Sequence, residues 1–224
     1  MAETNRFWIA FGDMHEHVGA LQGIDDLEQA SGVLISGDMT NVGNAARAAR
    51  VLEPVLARNS RVFAQIGNMD TPAVDTYLTE QGFNVHGRVV DLGHGVGLVA
   101  AGWSTPTPFG TPSEVSDEQL GSWLRAAFSA AHGYEHLLLM VHTPPVDTNA
   151  DRLPSGVHVG SSSVRAIIEK FQPEVVVTGH IHESFGQDLL GKSVIFNPGS
   201  FADGGYVRIV QTASGLVGEL RRAS

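Results

Sequence analysis

Seven residues of this chain are of types that bind metal ions, and they occur in short, regular motifs. They are two aspartates, one asparagine and four histidines: Asp13, His15, Asp38, Asn68, His142, His180 and His182. Asp13 with His15, and His180 with His182, have a two-residue spacing that can direct both side chains to one side of an extended segment. Carboxylate, imidazole and amide ligands without thiolate suit Mn, Fe, Zn, Ni or Co, and they do not distinguish among these metals.

Short apolar segments lead up to these residues and predict the strands that position them. The segments span 7–13, 32–38, 62–68, 136–142 and 175–180. Their length and near-continuous Val, Ile, Leu and Phe content are typical of strands buried on both faces. Helices are predicted between the strands, over 22–30, 43–58, 72–81, 117–131 and 162–171. The alternation predicts an α/β fold, in which polar residues at the carboxyl ends of strands converge on one crevice.

The second half of the chain is richer in predicted strand. Residues 89–103 indicate two strands joined by a Gly-His-Gly turn, and further strands are predicted over 193–200, 206–212 and 215–221. Segments 104–115 and 144–160 are predicted to be irregular and to form the rim of the site. No repeat or interdomain linker is apparent, so a single domain is predicted over 1–224.

The composition excludes several classes of protein. No apolar run approaches the ~20 residues of a membrane-spanning helix, and the run after Arg6 favours a first strand over a signal peptide. The lack of cysteine excludes disulfides, thiolate ligands and a cysteine nucleophile, and makes the cytoplasm the default location. A net charge of -10 argues against broad binding to nucleic acid, which depends on Lys and Arg at phosphates.

The order of the motifs resembles that of calcineurin-like metallophosphoesterases, over nearly the whole chain. The motifs are D-x-H at 13–15, G-D at 37–38, G-N at 67–68, the strand-terminal His142 and G-H-x-H at 179–182. The length and the strings GHIHE and NPGS are similar to those of small prokaryotic phosphoesterases in that superfamily. The resemblance implies two facing mixed β-sheets flanked by helices.

The resemblance also implies a centre of two divalent ions with Asp38 as the shared ligand. One ion would be held by Asp13, His15, Asp38 and His182, and the other by Asp38, Asn68, His142 and His180. Four positive charges against two carboxylates leave a cationic centre that favours an anionic phosphoryl group. Two metals about 3.5–4 Å apart can generate hydroxide near neutral pH and clamp the oxygens of an in-line displacement. The predicted activity is hydrolysis of a small phosphoester, preferably a diester, by a metal-bound hydroxide, with Asp38 and Asn68 as catalytic residues.

One position departs from the pattern of the superfamily. Many members carry histidine after the metal-binding asparagine and use it to protonate the leaving group, whereas this chain has Met69. His17 and His158 are the candidates to replace that acid, although either can equally be a surface residue.

Three further polar residues occur near the motifs, and two of them have both a functional and a structural interpretation. Asn41 could orient Asp38 or contact phosphate, or could satisfy a loop backbone. Asp70 could hydrogen-bond a ligand histidine, or could cap the helix that follows Pro72. Asn197 is expected in a tight turn near the metals.

Two other functions compete with hydrolysis. A catalytically idle fold used as a protein-interaction scaffold would need an exposed apolar patch. It has no chemical reason to retain all seven ligands. A nuclease is disfavoured by the acidic charge and by the lack of a basic cluster.

Overall fold

The computed structural model describes residues 6–224, and their strands form two mixed β-sheets. The strands are β1 (Phe7–Phe11), β2 (Val33–Ile35), β3 (Val62–Ala64), β4 (Arg88–Gly93), β5 (Val96–Ala101), β6 (His136–Val141), β7 (Val175–Val177), β8 (Gly186–Leu190), β9 (Ser193–Asn197), β10 (Gly205–Thr212) and β11 (Gly215–Arg222). The first sheet has the order β11-β10-β1-β2-β3, and the second has the order β4-β5-β6-β7-β9-β8. The first five residues of the domain predicted over 1–224 lie outside the described residues.

The helices cover the outer faces of the two sheets. They are α1 (Ala45–Arg58), α2 (Pro72–Glu80), α3 (Asp117–Ser129) and α4 (Ser162–Phe171). Side chains alternate across each strand, so Trp8 and Ala10 of β1 enter the core between the sheets while Ile9 and Phe11 pack towards α1 and α2. Helices α3 and α4 pack on the second sheet. The layers are helix, sheet, sheet and helix, which confirms the predicted α/β sandwich.

Side-chain caps begin three of the four helices. Asn44, Ser116 and Ser161 accept hydrogen bonds from the backbone N–H groups of Arg47, Gln119 and Val164 respectively. Helix α2 begins instead with proline at its first position, where no N–H is needed. Within residues 6–224, every helix is too short or too polar to cross a bilayer.

One prediction of secondary structure was wrong, and one strand was not predicted. Residues 22–30 do not form a helix: a 3-10 turn at Gly19–Gly23 is followed by isolated turns, and Asp26 has a left-handed φ of 63° that interrupts helical geometry. The apolar periodicity there reflects burial of Ile24 and Leu27 by successive turns. Strand β8 was not predicted, because it pairs only with β9 at the sheet edge and its side chains are at most half-buried.

The strands that lead to the predicted ligands end earlier than expected. Strand β1 ends at Phe11, β2 at Ile35, β3 at Ala64 and β7 at Val177. All seven predicted ligands therefore lie beyond the ends of the strands, six of them on loops and His182 at the start of a 3-10 turn, His182–Ser184. The parallel pairs β1–β2–β3 and β5–β6–β7–β9 bring these loops to the same end of the sandwich.

Candidate metal centre

Both sheets contribute to one cluster of the predicted ligands. Those that follow strands of the first sheet are Asp13, His15, Asp38 and Asn68, and those that follow strands of the second sheet are His142, His180 and His182. Asp13 and His142 have no exposed surface, and Asp38 and Asn68 are also buried. His15, His142 and His182 lie close to these carboxylates. His182 is the most exposed of the three, with 40% of its side chain exposed.

One group of donor atoms gathers around Asp13. Nε2 of His182 lies 3.3 Å from Asp13 Oδ1 and 3.1 Å from Nε2 of His15. The backbone N–H of His180 lies 3.1 Å from each oxygen of Asp13 and holds the carboxylate in place. A carboxylate and two imidazole nitrogens that face one point form a donor set suited to a divalent cation.

A second group gathers around the side-chain oxygen of Asn68. Asn68 Oδ1 lies 2.7 Å from His180 Nδ1 and 3.0 Å from His142 Nε2. The amide group is turned by Thr111, whose Oγ1 accepts a hydrogen bond from Asn68 Nδ2 at 3.1 Å. The oxygen of Asn68 therefore faces the histidines.

Asp38 lies between the two groups. Its Oδ2 is 3.7 Å from His15 Nε2 in the first group and 3.5 Å from His142 Nε2 in the second. Its other oxygen accepts a hydrogen bond of 2.7 Å from the backbone N–H of Met69. Asp13 also approaches the second group, since its carboxylate, that of Asp38 and His142 have ligand atoms within 4.8 Å of one another.

The electrostatics of the cluster fit a cation. Burial alone would lower the pKa of His142, but Asp38 and then Asp13 raise it to about 9. Burial and the charge of His142 lower the pKa of His180 to about 4. Burial would raise the pKa of Asp13, but His182 and the other histidines bring it below its usual value. The buried carboxylates thus stabilise positive charge at their centre, and the residues present fit bound metal ions.

Four of the predicted ligands have left-handed backbone. The φ angles are 51° at Asp13, 44° at His15, 50° at Asp38 and 73° at His180. Non-glycine residues seldom adopt this conformation, and those that do concentrate at functional sites. The prediction that Asp13 and His15 lie on an extended segment was therefore wrong, because the two residues lie in a tight turn.

The glycines of the G-N and G-H motifs permit close approach between loops. A Cβ on Gly67 would lie 2.2 Å from Asp38 Oδ1 and 2.6 Å from His142 Cε1. A Cβ on Gly179 would lie 2.4 Å from Asp13 Oδ2. Glycine is required there because any side chain would occupy the position of a predicted ligand.

Polar residues around the cluster fix its loops. Asn41 contacts His15 and satisfies a loop backbone, which was the structural alternative considered for it: its Oδ1 lies 2.7 Å from His15 Nδ1, and its Nδ2 donates to the carbonyl of His15 at 3.3 Å. Asp70 neither contacts a ligand histidine nor caps α2. Its buried carboxylate accepts hydrogen bonds from the backbone of Met39, Thr40 and Gly67 and from the Thr40 hydroxyl.

Asn197 holds the G-H-x-H loop. Its side-chain amide donates to the carbonyls of Ile181 at 2.9 Å and Ala150 at 3.0 Å. Its Oδ1 accepts from Gly199 N at 2.8 Å, which forms the expected turn.

Neither candidate for the missing acid faces the cluster. The left-handed backbone at His15 and Glu16 turns the chain, so His17 is exposed and lines a separate depression beside Ala202 and Ser224. Nδ1 of His158 lies 2.7 Å from a buried carboxylate oxygen of Asp151. These contacts therefore do not support either histidine as the replacement acid, and Met69 is one of the residues that line the cavity over the cluster.

A cavity of about 930 Å³ opens above the cluster. Five of the predicted ligands lie at its base: His15, Asp38, Asn68, His180 and His182. Its walls come from residues 105–112 and from Leu153 and Val159, so both irregular segments form the rim as predicted. Thr111, which the sequence analysis missed, joins this rim to Asn68.

Comparison with known proteins identifies relatives of this chain. The sequence pattern of the family described as "Metallophosphoesterase, calcineurin superfamily" matches residues 124–216. An uncharacterized protein of Methanocaldococcus jannaschii is 32% identical over 170 residues, which are 74% of this chain and 76% of that protein. A structure from Thermus thermophilus superposes with a TM-score of 0.72 at 18% identity, over 99% of this chain and 100% of that one.

A second solved structure, of a dimetal phosphatase from Danio rerio, has a TM-score of 0.71 at 12% identity, over 98% of this chain and 96% of that one. At such identities these structures show a shared fold. The likeness also holds at the level of sequence, as shown by the match to the family pattern, by the archaeal relative and by the ordered motifs. The chain belongs to the calcineurin superfamily of metallophosphoesterases, whose members are metal-dependent phosphoesterases.

Proposed function

We propose that this chain hydrolyses a small phosphodiester at a centre of two divalent metal ions. One ion is held by Asp13, His15, Asp38 and His182, and the other by Asp38, Asn68, His142 and His180. The position of Asp38 carries the proposal. Its Oδ2 is 3.7 Å from a histidine of one set and 3.5 Å from a histidine of the other, as a carboxylate shared by two ions requires.

Two bound cations would supply a water of lowered pKa and positive charge for the phosphoryl oxygens. The residues of the chain fix where that chemistry occurs. Asp38 and Asn68 each follow a glycine. Their loops are tied together by the Met69 N–H, which donates to Asp38, and by Asp70, which accepts from the backbone of Met39. The rim segments form the walls of the cavity above this base.

The preference for a diester follows from the charge of the substrate and from the missing acid. A diester carries one negative charge, so fewer positive charges are needed to neutralise it than for a monoester. No imidazole outside the metal ligands lines the cavity among residues 6–224, so the leaving oxygen departs without a positioned imidazolium donor. Leaving groups that are stable as anions are therefore preferred.

Metal content and matched esters test this proposal together. Purified protein reconstituted with Mn, Zn, Fe, Ni or Co should bind two ions per chain and cleave bis(p-nitrophenyl) phosphate faster than p-nitrophenyl phosphate. His136→Gln, which changes a histidine paired with Glu174 away from the cluster, is the matched control. One ion per chain would refute the dinuclear centre, and faster cleavage of the monoester would refute the diester preference.

A further inference from the structure

The walls of the cavity differ in chemistry from its base. Exposed large apolar side chains gather there: of the six in residues 6–224, three line the cavity, namely Val42, Phe109 and Val159. Phe109 is 84% exposed and Val42 is 57% exposed. Pro106, Pro108, Pro112 and Leu153 extend the same apolar lining. Exposed apolar surface that is contiguous with a polar site marks a place where an apolar ligand binds.

The loop that carries Phe109 is fixed by its own hydrogen bonds. Thr107 Oγ1 donates to Glu114 at 2.7 Å and accepts from Phe109 N at 3.2 Å. Ser113 N donates to the carbonyl of Asn68 at 3.1 Å, which fastens the loop to the metal cluster. The backbone that carries Phe109 is therefore held in place beside the cavity, so that a ligand has to order the Phe109 side chain but not the loop.

The charges of the lining restrict the ligand further. None of the described residues that line the cavity is Lys or Arg, and the one charged side chain there outside the predicted ligands is Glu183. A second phosphate or a carboxylate on the substrate would lose its water without gaining a cation and would face this acidic side chain. An apolar substituent would instead bury surface against Phe109, Val42 and Val159.

We propose that the organic part of the substrate is an apolar alcohol or phenol with no negative charge beyond the reacting phosphate, and that Phe109 is its main specificity-determining contact. The inference rests on the proposed function, since the phosphoryl group is placed at the metal cluster. It disfavours nucleotides with several phosphates and sugar phosphates, whose polar groups would find few partners on these walls.

Three diesters with one leaving group test the inference. Methyl, phenyl and 2-carboxyethyl p-nitrophenyl phosphate share the p-nitrophenolate product, so differences in kcat/KM report the second substituent. The phenyl diester should exceed the methyl diester by at least about 10-fold, the scale on which apolar pockets discriminate. The carboxyethyl diester should fall below both. Phe109→Ser should reduce the phenyl preference to about 2-fold.

The control is Leu189→Ser, which replaces another exposed apolar side chain, 63% exposed on β8 and outside the cavity. It should leave the phenyl preference unchanged. Equal rates for methyl and phenyl diesters, or a carboxyethyl diester as the best substrate, would overturn the inference while leaving the phosphoesterase proposal intact.

If no ester is cleaved, measurements of ligand binding still test the apolar-substituent proposal separately from the proposed phosphoesterase function. Absence of hydrolysis by metal-loaded protein would refute the proposed function. Calorimetric titration with phenylphosphonate and methylphosphonate then tests, independently of hydrolysis, whether the cavity binds an apolar substituent. Tighter binding of phenylphosphonate that is lost in Phe109→Ser supports the inference, and equal or absent binding of the two ligands overturns it.

Discussion

Asn41 Oδ1 lies 2.7 Å from Nδ1 of His15, and this contact determines which nitrogen of the imidazole faces the metal cluster. Because an amide oxygen only accepts, Nδ1 of His15 donates in this contact, and Nε2 is the nitrogen directed towards His182 and Asp38. The exposed Asn41 thus acts on the centre without being one of its ligands.

Asn41→Ala should weaken metal binding by about 10–100-fold, because the ring of His15 loses its orientation and its acceptor. Asn41→Asp keeps an acceptor in place and should retain most of the affinity. Competition with a chromophoric chelator measures both constants, and Asn149→Ala on the rim controls for loss of an exposed asparagine. Equal loss in Asn41→Ala and Asn41→Asp would show that the hydrogen bond to His15 is not the cause.

Asp38→Asn should lower occupancy at both metal positions and abolish hydrolysis, since one carboxylate serves two ions. His182→Ala should act mainly on the ion shared with Asp13 and His15. Elemental analysis after dialysis gives the number of ions in each variant. Loss of both ions in both variants would indicate one cooperative unit whose separate ligand sets cannot be resolved.

Gly67→Ala should displace Asp38 or His142, because the added Cβ would lie 2.2 Å from the carboxylate and 2.6 Å from the imidazole. Overpacking of a closely packed site costs about 1–3 kcal/mol, so the free energy of unfolding should fall along with metal content. Gly19→Ala is the matched control, since its Cβ has nothing within 4 Å. Full metal content in Gly67→Ala would contradict the stated need for glycine.

Metal affinity should rise with pH up to about pH 9. In the metal-free protein burial lowers the pKa of His142, but Asp38 and Asp13 raise it to about 9, so the imidazole is protonated at neutral pH. A cation must displace that proton, and its apparent affinity therefore improves by up to about tenfold per pH unit below pH 9 and levels off above it.

Calorimetry at pH 7.5 in buffers of different ionisation enthalpy measures the protons released on binding. About one proton per chain should come from His142. The remote variant His136→Gln should release the same number as the wild type, and zero release would contradict a protonated His142.

The rate of hydrolysis should depend steeply on the pKa of the leaving group, because Met69 cannot donate a proton to the departing oxygen. Met69→His should raise the rates of alkyl esters more than those of aryl esters, with an upper bound of about 10²–10⁴-fold for a positioned general acid. His17→Ala and His158→Ala should leave the dependence unchanged, since neither histidine lines the cavity. A shallow dependence in the wild type that steepens in His158→Ala would restore that residue as the acid.

Apolar runs that end in polar residues predicted the strands that lead to the ligands, and the order of the motifs carried the resemblance that implied the two-sheet fold. Neither signal predicted the backbone conformation at the site. Asp13 and His15 were expected on an extended segment, whereas both have left-handed φ angles that tertiary contacts impose. The same turn explains why His17, two residues further on, faces away.

Contacts between residues that are far apart in the sequence could not be predicted either. Thr111 orients Asn68 from 43 positions away, and no local pattern in the Thr- and Pro-rich segment indicates that contact. The helix expected over 22–30 failed for a related reason: burial of Ile24 and Leu27 gives a helical period, yet separate turns satisfy it equally well. The period of the apolar residues shows which residues are buried, whereas tertiary packing determines the path of the backbone.

The division of the cluster between the two sheets gives bound ions a mechanical role. Asp13, Asp38 and the first sheet lie on one side of the central apolar layer, and His142, His180 and the second sheet lie on the other. An ion held by ligands from both sheets would act as a cross-link between them at the end of the sandwich where the ligand loops lie. At a free concentration 100 times its dissociation constant, an ion that binds only the folded chain adds about 2.7 kcal/mol to the free energy of unfolding. Removal of the ions by a chelator would therefore weaken the packing between the two sheets first at the end where the cavity opens.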